Sequence, residues 1–98
     1  MVEVRQTEEF SRWLRRLKDA DAVARVVGRI RRMERGNPGD AKGVGRGVVE
    51  IRVAHGPGYR VYFQKRGNTI IVLLCGGDKS TQAKDIKAAK RLAETWSE

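Results

Sequence analysis

The chain has 98 residues, of which 40% are hydrophobic and 34% are charged, and these proportions are ordinary for one small globular domain. A single cysteine and a single histidine exclude an internal disulfide, a multi-cysteine zinc site and a two-histidine metal site. The 21 Lys and Arg residues outnumber the 12 Asp and Glu residues, so the net charge of +9 favours a polyanion or an acidic protein as partner.

The first third of the sequence predicts a short strand followed by two helices. Val2, Val4 and Gln6 alternate with charged residues, as in a strand. Thr7 followed by two glutamates predicts a helix start, because a hydroxyl cap and acidic side chains both satisfy the free amides there. Apolar residues then recur with helical spacing in two segments around a turn at 18–21, namely Phe10, Trp13, Leu14 and Leu17, then Val23, Val26, Val27, Ile30 and Met33. We expect a helical hairpin.

A glycine-rich segment over residues 36–47 is interpreted as a loop. It opens with Gly-Asn-Pro-Gly-Asp, in which glycine and proline break the helical backbone. Lys42 and Arg46 are interleaved with the later glycines, a pattern that suits a backbone passing close to a ligand. A plain flexible connection is the alternative.

The second half of the sequence predicts three strands and a final helix. The strands span 48–54, 59–65 and 69–75, with turns at 55–58 and 66–68, and residues 76–80 are expected to leave the last strand. Thr81 is expected to cap a helix that carries Ile86, Ala89, Ala93 and Trp96. The prediction is an α+β fold of order β-α-α-β-β-β-α, with a curled antiparallel sheet, the helical hairpin on one face and a C-terminal helix.

Alternation along the first two of these strands separates an apolar face from a polar one. The apolar face is expected to pack on the helices. The polar face carries Glu50, Arg52, Arg60, Tyr62 and Gln64. Adjacent strands lie about 5 Å apart, so these side chains can converge, with Lys79 nearby, on a phosphate-binding patch. Gln64, Lys42 and Arg46 are candidate RNA contacts. The alternative is the solvated face of an antiparallel sheet with ordinary cross-strand ion pairs.

His55 and Cys75 are the remaining reactive residues. His55 lies in the Gly-Pro turn, within reach of the patch rim, and imidazole suits proton transfer. An incidental turn histidine is the alternative. Cys75 ends the most apolar strand and is expected to be a small buried hydrophobic residue.

Other functional classes lack support in the sequence. The longest apolar run, residues 70–75, is too short to span a bilayer, and the first ten residues lack the apolar core of a secretory signal. No Walker loop or GxGxxG motif is present. We therefore expect a single cytoplasmic domain over residues 1–98 that uses no cofactor and no metal ion and contacts no membrane.

The run VEIRVAHGPGYRVYFQKRGNTIIVLLCGGDKSTQAKDI, residues 49–86, resembles the HigB-like, phage Gp49-like branch of the RelE/ParE toxin superfamily. Its segments GPGYRVYF and GGDKSTQ are fairly specific together, and the preceding hairpin and Asn-Pro-Gly-Asp loop also fit. The family fold, two helices on a curled antiparallel sheet with a helix at the end, agrees with the predicted element order.

The resemblance implies the toxin of a type II toxin–antitoxin pair that cuts messenger RNA in the ribosomal A site. No metal is implied, because the RNA's own 2′-hydroxyl attacks the adjacent phosphate. Arg60 matches the family's phosphate-stabilising arginine, and Arg52 and Lys79 match further basic positions. A cognate antitoxin is implied as partner in a hetero-oligomer, of the HigA-like, helix-turn-helix kind.

The general base is left open, with Glu50, His55 and Tyr62 as candidates. Glu50 stands where ribosome-dependent RelE enzymes have a lysine, and the tyrosine that those enzymes place after the last strand is missing. Two alternatives to the nuclease remain. One is a ParE-like DNA gyrase poison without nuclease activity, and the other is a non-catalytic RNA-binding or inactive relic.

Overall fold

A computed structural model describes residues 2–97, so the outermost residues of the predicted 1–98 domain lie outside the described part. The elements in chain order are β1 (Glu3–Gln6), α1 (Glu8–Arg16), α2 (Ala20–Glu34), β2 (Ala41–Gly45), β3 (Val48–Val53), β4 (Tyr59–Arg66), β5 (Ile70–Asp78) and α3 (Gln82–Thr95). A 3-10 turn, Lys79–Thr81, joins β5 to α3. The mixed α+β class and the C-terminal helix agree with the sequence prediction.

The sheet of the described residues has five strands in the order β1-β5-β4-β3-β2. The prediction of a wholly antiparallel sheet is wrong at one edge, where β1 pairs parallel to β5 with Glu3 opposite Ile70. The prediction of a loop over residues 36–47 is correct for 36–40 and wrong for Ala41–Gly45, where β2 forms the other edge. Arg46 and Gly47 both have positive φ, 56° and 77°, and a two-residue turn of this kind returns the chain as a tight hairpin.

The helical hairpin packs on one face of the sheet, as predicted. Phe10 of α1 and Val26 and Met33 of α2 are buried against strand residues that include Ile51 and Leu73. Both helices begin at side-chain caps. Thr7 Oγ1 accepts from the Phe10 amide at 3.0 Å, and Asp19 accepts from two amides at the start of α2.

Helix α3 covers part of the opposite face, which is the polar strand face of the sequence prediction. Ala89 and Ala93 of α3 pack with Val48, Tyr62 and Leu74 in a second apolar cluster. The small alanine side chains let the helix approach the sheet closely. The alternative of a plain solvated sheet face is therefore wrong for the centre of this face, which is a core.

Strand β5 runs through Gly76, Gly77 and Asp78 rather than ending at Cys75 as predicted. A Cβ on Gly76 would lie 2.3 Å from the ring of Trp13, and a Cβ on Gly77 would lie 1.8 Å from Asp85 Oδ2. The two glycines therefore let α1 and α3 close onto opposite faces of one strand.

The side-chain contacts at the two ends of α3 differ from the cap that the sequence predicted. Thr81, the predicted cap, makes no capping bond, and its hydroxyl donates to Asp85 Oδ2 at 2.5 Å. At the other end Arg66 donates to the carbonyls of Ala93 and Trp96, the latter at 3.0 Å. Carbonyls at a helix C-terminus lack partners within the helix, so Arg66 fixes the end of α3 on β4.

Of the helices in residues 2–97, none combines the length and the apolar character that crossing a membrane requires.

Candidate functional site

Five polar side chains from β3, β4 and the first turn of α3 meet on the sheet face that α3 covers only in part. We call them the Glu50 cluster: Glu50, Arg52, Arg60, Tyr62 and Gln82. The antiparallel register makes them neighbours, because Glu50 lies opposite Tyr62 and Arg52 lies opposite Arg60. The predicted convergence of the first four residues is present in the structure.

Glu50 is the centre of this cluster, although its side chain is only 1% exposed. Its Oε2 accepts from the Tyr62 hydroxyl at 3.0 Å and from Gln82 Nε2 at 2.9 Å. Its Oε1 lies 3.7 Å from Nε of both Arg52 and Arg60. A buried carboxylate is unfavourable unless it is paired and hydrogen-bonded, and here two cations and two neutral donors meet both needs.

The two arginines differ in how far they reach solvent. The Arg60 side chain is 12% exposed and that of Arg52 is 43% exposed. Arg60 Nη1 donates to the Gly58 carbonyl at 3.1 Å, whereas its buried Nε finds no hydrogen-bond partner among the described residues. Arg60 is thus fixed in a recess and Arg52 forms the more accessible side of it.

Lys79 adds a third cation beside Arg60. A Cβ on Gly58 would lie 3.6 Å from Arg60 Nη1 and 3.8 Å from Lys79 Cβ, so both side chains pass the same glycine. Lys79 is exposed. The prediction that Arg52, Arg60 and Lys79 share one region therefore agrees with their placement.

Tyr62 is completely buried, although the sequence placed it on the polar strand face. Burial, followed by the hydrogen bond to Glu50, raises the pKa of the Tyr62 hydroxyl far above its ordinary value. The phenol therefore stays protonated and donates inward to the carboxylate.

The side-chain contacts of His55 are with Asp19 and Tyr59 and not with the Glu50 cluster, so its reach to the rim of the patch stays a prediction. Its Nε2 lies 3.0 Å from Asp19 Oδ2 in the turn between α1 and α2, and its ring stacks near Tyr59 with centroids 6.5 Å apart. The hydrogen bond from His55, more than that from the Ala22 amide, lowers the pKa of Asp19. His55 thus joins two turns on the hairpin side of the sheet.

The three candidate RNA contacts occupy different settings. Lys42 is exposed on β2 directly opposite Glu50, so it extends the cationic face beyond Arg52. Arg46 forms an ion pair with Glu94 of α3 at 2.7 Å. Gln64 donates to the Arg46 carbonyl at 3.1 Å. Lys42 is the one of the three that borders the cluster, and the other two hold the β2–β3 turn.

The sequence did not point to two side chains that bond to residues of the Glu50 cluster. Gln82 is the last residue of the GGDKSTQ segment and the first residue of α3, a position from which its amide reaches over the sheet to Glu50. Arg29 of α2 donates to the carbonyls of Arg52 at 2.5 Å and Pro38 at 2.8 Å. The spacing of Arg29 on α2 predicted only a residue on the helix surface. It did not predict the hydrogen bond to the carbonyl near the end of β3.

The arrangement can bind a phosphate group. The guanidinium of Arg60, held by Gly58 and Glu50, lies beside the more exposed guanidinium of Arg52, and Lys79 begins nearby. Guanidiniums form paired, charge-assisted hydrogen bonds to phosphate oxygens. The carboxylate behind them balances part of their charge without being exposed itself.

Comparison with known proteins shows the family to which the chain belongs. The family described as "Phage derived protein Gp49-like (DUF891)" matches residues 12–97. An uncharacterised protein of Haemophilus influenzae is 47% identical over 93 residues, which cover 95% of this chain and 94% of that relative. The chain therefore belongs to the phage-derived Gp49-like family, a family of RelE-like toxins. Membership in a toxin family implies an antitoxin partner.

Proposed function

We propose that this protein is the HigB-like toxin of a type II toxin–antitoxin pair and that it cleaves messenger RNA on the ribosome, in the cytoplasm, without a metal ion. The observation that carries the proposal is the grouping of Arg52, Arg60 and Lys79 around one recess, with both guanidiniums beside a buried carboxylate. Family membership supports a toxin, and the cationic recess supports chemistry at a phosphodiester.

The proposed reaction uses the RNA's own nucleophile. The 2′-oxygen forms a bond to the adjacent phosphorus, the bond from phosphorus to the 5′-oxygen breaks, and a 2′,3′-cyclic phosphate results. The 2′-oxygen loses a proton to solvent and the departing 5′-oxygen gains one, so no oxidant, metal or co-reactant is consumed. Negative charge builds up on the phosphate oxygens in the transition state, and fixed cations stabilise that charge more than they stabilise the ground state.

Arg60, Arg52 and Lys79 are assigned to this stabilisation. Arg60 is the best oriented, because Gly58 and Glu50 hold two sides of its guanidinium. Arg52 and Lys79 are more exposed and reach the substrate from either side. Lys42, across the sheet on β2, is assigned to the RNA backbone that enters the recess.

The test is induction of the protein in growing cells, followed by mapping of new RNA 5′ ends. Wild type should create ends inside translated frames, and Arg60→Ala should lose about 100-fold or more of the cleavage rate, the usual effect of removing one charge-stabilising donor. Arg12→Ala is the matched control, since Arg12 is exposed on α1 at the far side of the sheet. Arg60→Ala that inhibits growth like wild type at equal protein level would contradict the assignment.

The same experiment separates the proposal from the two other readings of the sequence. Growth arrest with intact messages and an induced DNA-damage response would indicate a gyrase poison. Neither arrest nor cleavage would indicate a binding module or an inactive relic.

The proposed partner is a HigA-like antitoxin with a helix-turn-helix domain and an acidic contact surface. The net charge of +9 supports an acidic partner surface. A co-expressed pair should elute from gel filtration as one complex, and separate elution at low salt would contradict the pairing.

A further inference from the structure

We infer that Glu50 is the positioning residue of the site, a buried anchor for Arg52 and Arg60, and that it does not accept a proton from the RNA. The inference rests on the proposed function, because it assigns Glu50 a role in the same cleavage. Its physical basis is the set of four side chains that contact the carboxylate, which are Arg52, Arg60, Tyr62 and Gln82.

A proton acceptor must come within about 2.6–3.2 Å of the proton's donor atom, directly or through one water. Glu50 offers no surface for this contact. Its side chain is 1% exposed, and Tyr62 and Gln82 already occupy Oε2. Its Oε1 faces the two guanidiniums. A 2′-hydroxyl could reach the carboxylate only by displacing one of these four groups.

The arginines need the carboxylate. Arg52 and Arg60 lie directly opposite each other on β3 and β4, and like charges in that position repel. Glu50 Oε1 lies 3.7 Å from each Nε and compensates both charges at once. Arg60 depends on it further, since its Nε is buried and has no hydrogen-bond partner in residues 2–97. Removal of the negative charge leaves Arg60 without the carboxylate beside its Nε, although Asp78 still attracts it, and we expect the guanidinium to move toward solvent.

The carboxylate also connects α3 to the site. Gln82 begins α3 and follows the turn that contains Lys79. Its bond to Glu50 Oε2 therefore fixes the end of that turn. Tyr62 holds the same oxygen from within the second apolar cluster. Glu50 thus contacts both arginines directly and is linked through Gln82 to the turn that carries Lys79.

The experiment compares purified wild type with Glu50→Gln on ribosomes that carry a defined message. The amide has the shape of the carboxylate and lacks its charge. Misplacement of a catalytic group by about 1 Å costs on the order of 100-fold in rate, so we expect kcat to fall by about that factor with KM little changed. The shape of the pH–rate profile should stay that of wild type, because no titrating base has been removed.

A second measurement reports the arginines without any cleavage. The side-chain Nε–H signals of Arg52 and Arg60 in a nitrogen-15 NMR spectrum should stand apart from those of exposed arginines in wild type. They should move toward the exposed arginines in Glu50→Gln. Glu9→Gln is the matched control, since Glu9 is an exposed carboxylate on α1, and it should leave the signals and the rate unchanged.

The outcomes are distinct. Glu50→Gln with wild-type kcat, or with unmoved arginine signals, would overturn the positioning role. Loss of the ascending limb of the pH profile would make Glu50 the base instead. If Glu50→Gln fails to fold, Glu50→Asp keeps the charge and withdraws the carboxylate from the arginines by one methylene, and a kcat equal to wild type there would also overturn the inference. Wild type that cuts no RNA would refute the proposed function, while the NMR result would still decide whether Glu50 holds the arginines.

Discussion

Only glycine fits at position 76, because the ring of Trp13 occupies the space that a side chain would need. A Cβ there would come within 2.3 Å of the ring, well inside any real contact. The indole also packs against the first apolar cluster, beside Phe10, so it has little room to yield. The Gly76–Gly77 pair of the GGDKSTQ segment is therefore required for the packing of α1 and α3 on β5.

We predict that Gly76→Ala lowers the free energy of unfolding by about 1–3 kcal/mol, the usual cost of overpacking a core. Gly28→Ala is the control. Gly28 lies inside α2 with open space around its Cα, so alanine there should stabilise the helix by about 0.5–1 kcal/mol. Chemical denaturation of both variants measures the difference, and destabilisation by Gly28→Ala equal to that by Gly76→Ala would refute the packing argument.

The His55–Asp19 pair joins the β3–β4 turn to the start of α2. Because His55 holds the pKa of Asp19 below its ordinary value, the folded state favours the carboxylate more than the unfolded state does. This contribution to stability is present above the pKa of the unfolded chain, about 4. It is lost as the pH falls through the lower pKa of the folded protein.

We therefore predict that Asp19→Asn lowers the melting temperature at pH 7 and has little effect near pH 2. Asparagine is as good a helix cap as aspartate, so the change removes mainly the interaction with His55. Asp21→Asn, an exposed change two residues away, is the control. Thermal melts across pH 2–7 test the prediction, and a difference between Asp19→Asn and wild type that persists at pH 2 would contradict it.

The elements that the sequence predicted are those with a strong local pattern. Helices α1 and α2 have apolar periodicity and side-chain caps. Strand β2 has the sequence AKGVG, which carries no alternation, and it forms because the Arg46–Gly47 turn folds it onto β3. Periodicity also predicted α3, but it could not show which face of the sheet the helix would cover.

The same limit explains the candidate site. Alternation along β3 and β4 grouped Glu50, Arg52 and Arg60 correctly, because neighbours on one strand face follow from the pleat. The burial of Glu50 and Tyr62 depends on α3, so it could not be predicted from the strands. The contact between His55 and Asp19 could not be predicted for a similar reason, since 36 residues separate the two.

Because the protein carries a net charge of +9, we expect its proposed binding to RNA to depend on salt. We predict that its affinity for single-stranded RNA falls as salt rises from about 50 to 200 mM, with a log–log slope of about −0.7 for each phosphate contact. Arg52→Ala and Arg60→Ala should each reduce the steepness by about 0.7. Fluorescence anisotropy with a labelled oligonucleotide measures the slopes, and Arg12→Ala serves as the control. Equal slopes for all variants would show that the recess does not contact phosphate.

The pairing of β1 with β5 also determines how late in its own synthesis the protein can complete its fold. The Thr7 hydroxyl, at the start of α1, donates to the Leu74 carbonyl of β5, 67 residues later. A ribosome adds about 5–20 residues per second, so about 3–13 s separate the two partners, and until then the core under α1 and α2 lacks Ile71 and Leu73 of β5. Gln82, which completes the contacts of Glu50, is made later still. A chain in the course of translation therefore has neither its complete hairpin-side core nor its finished cationic recess.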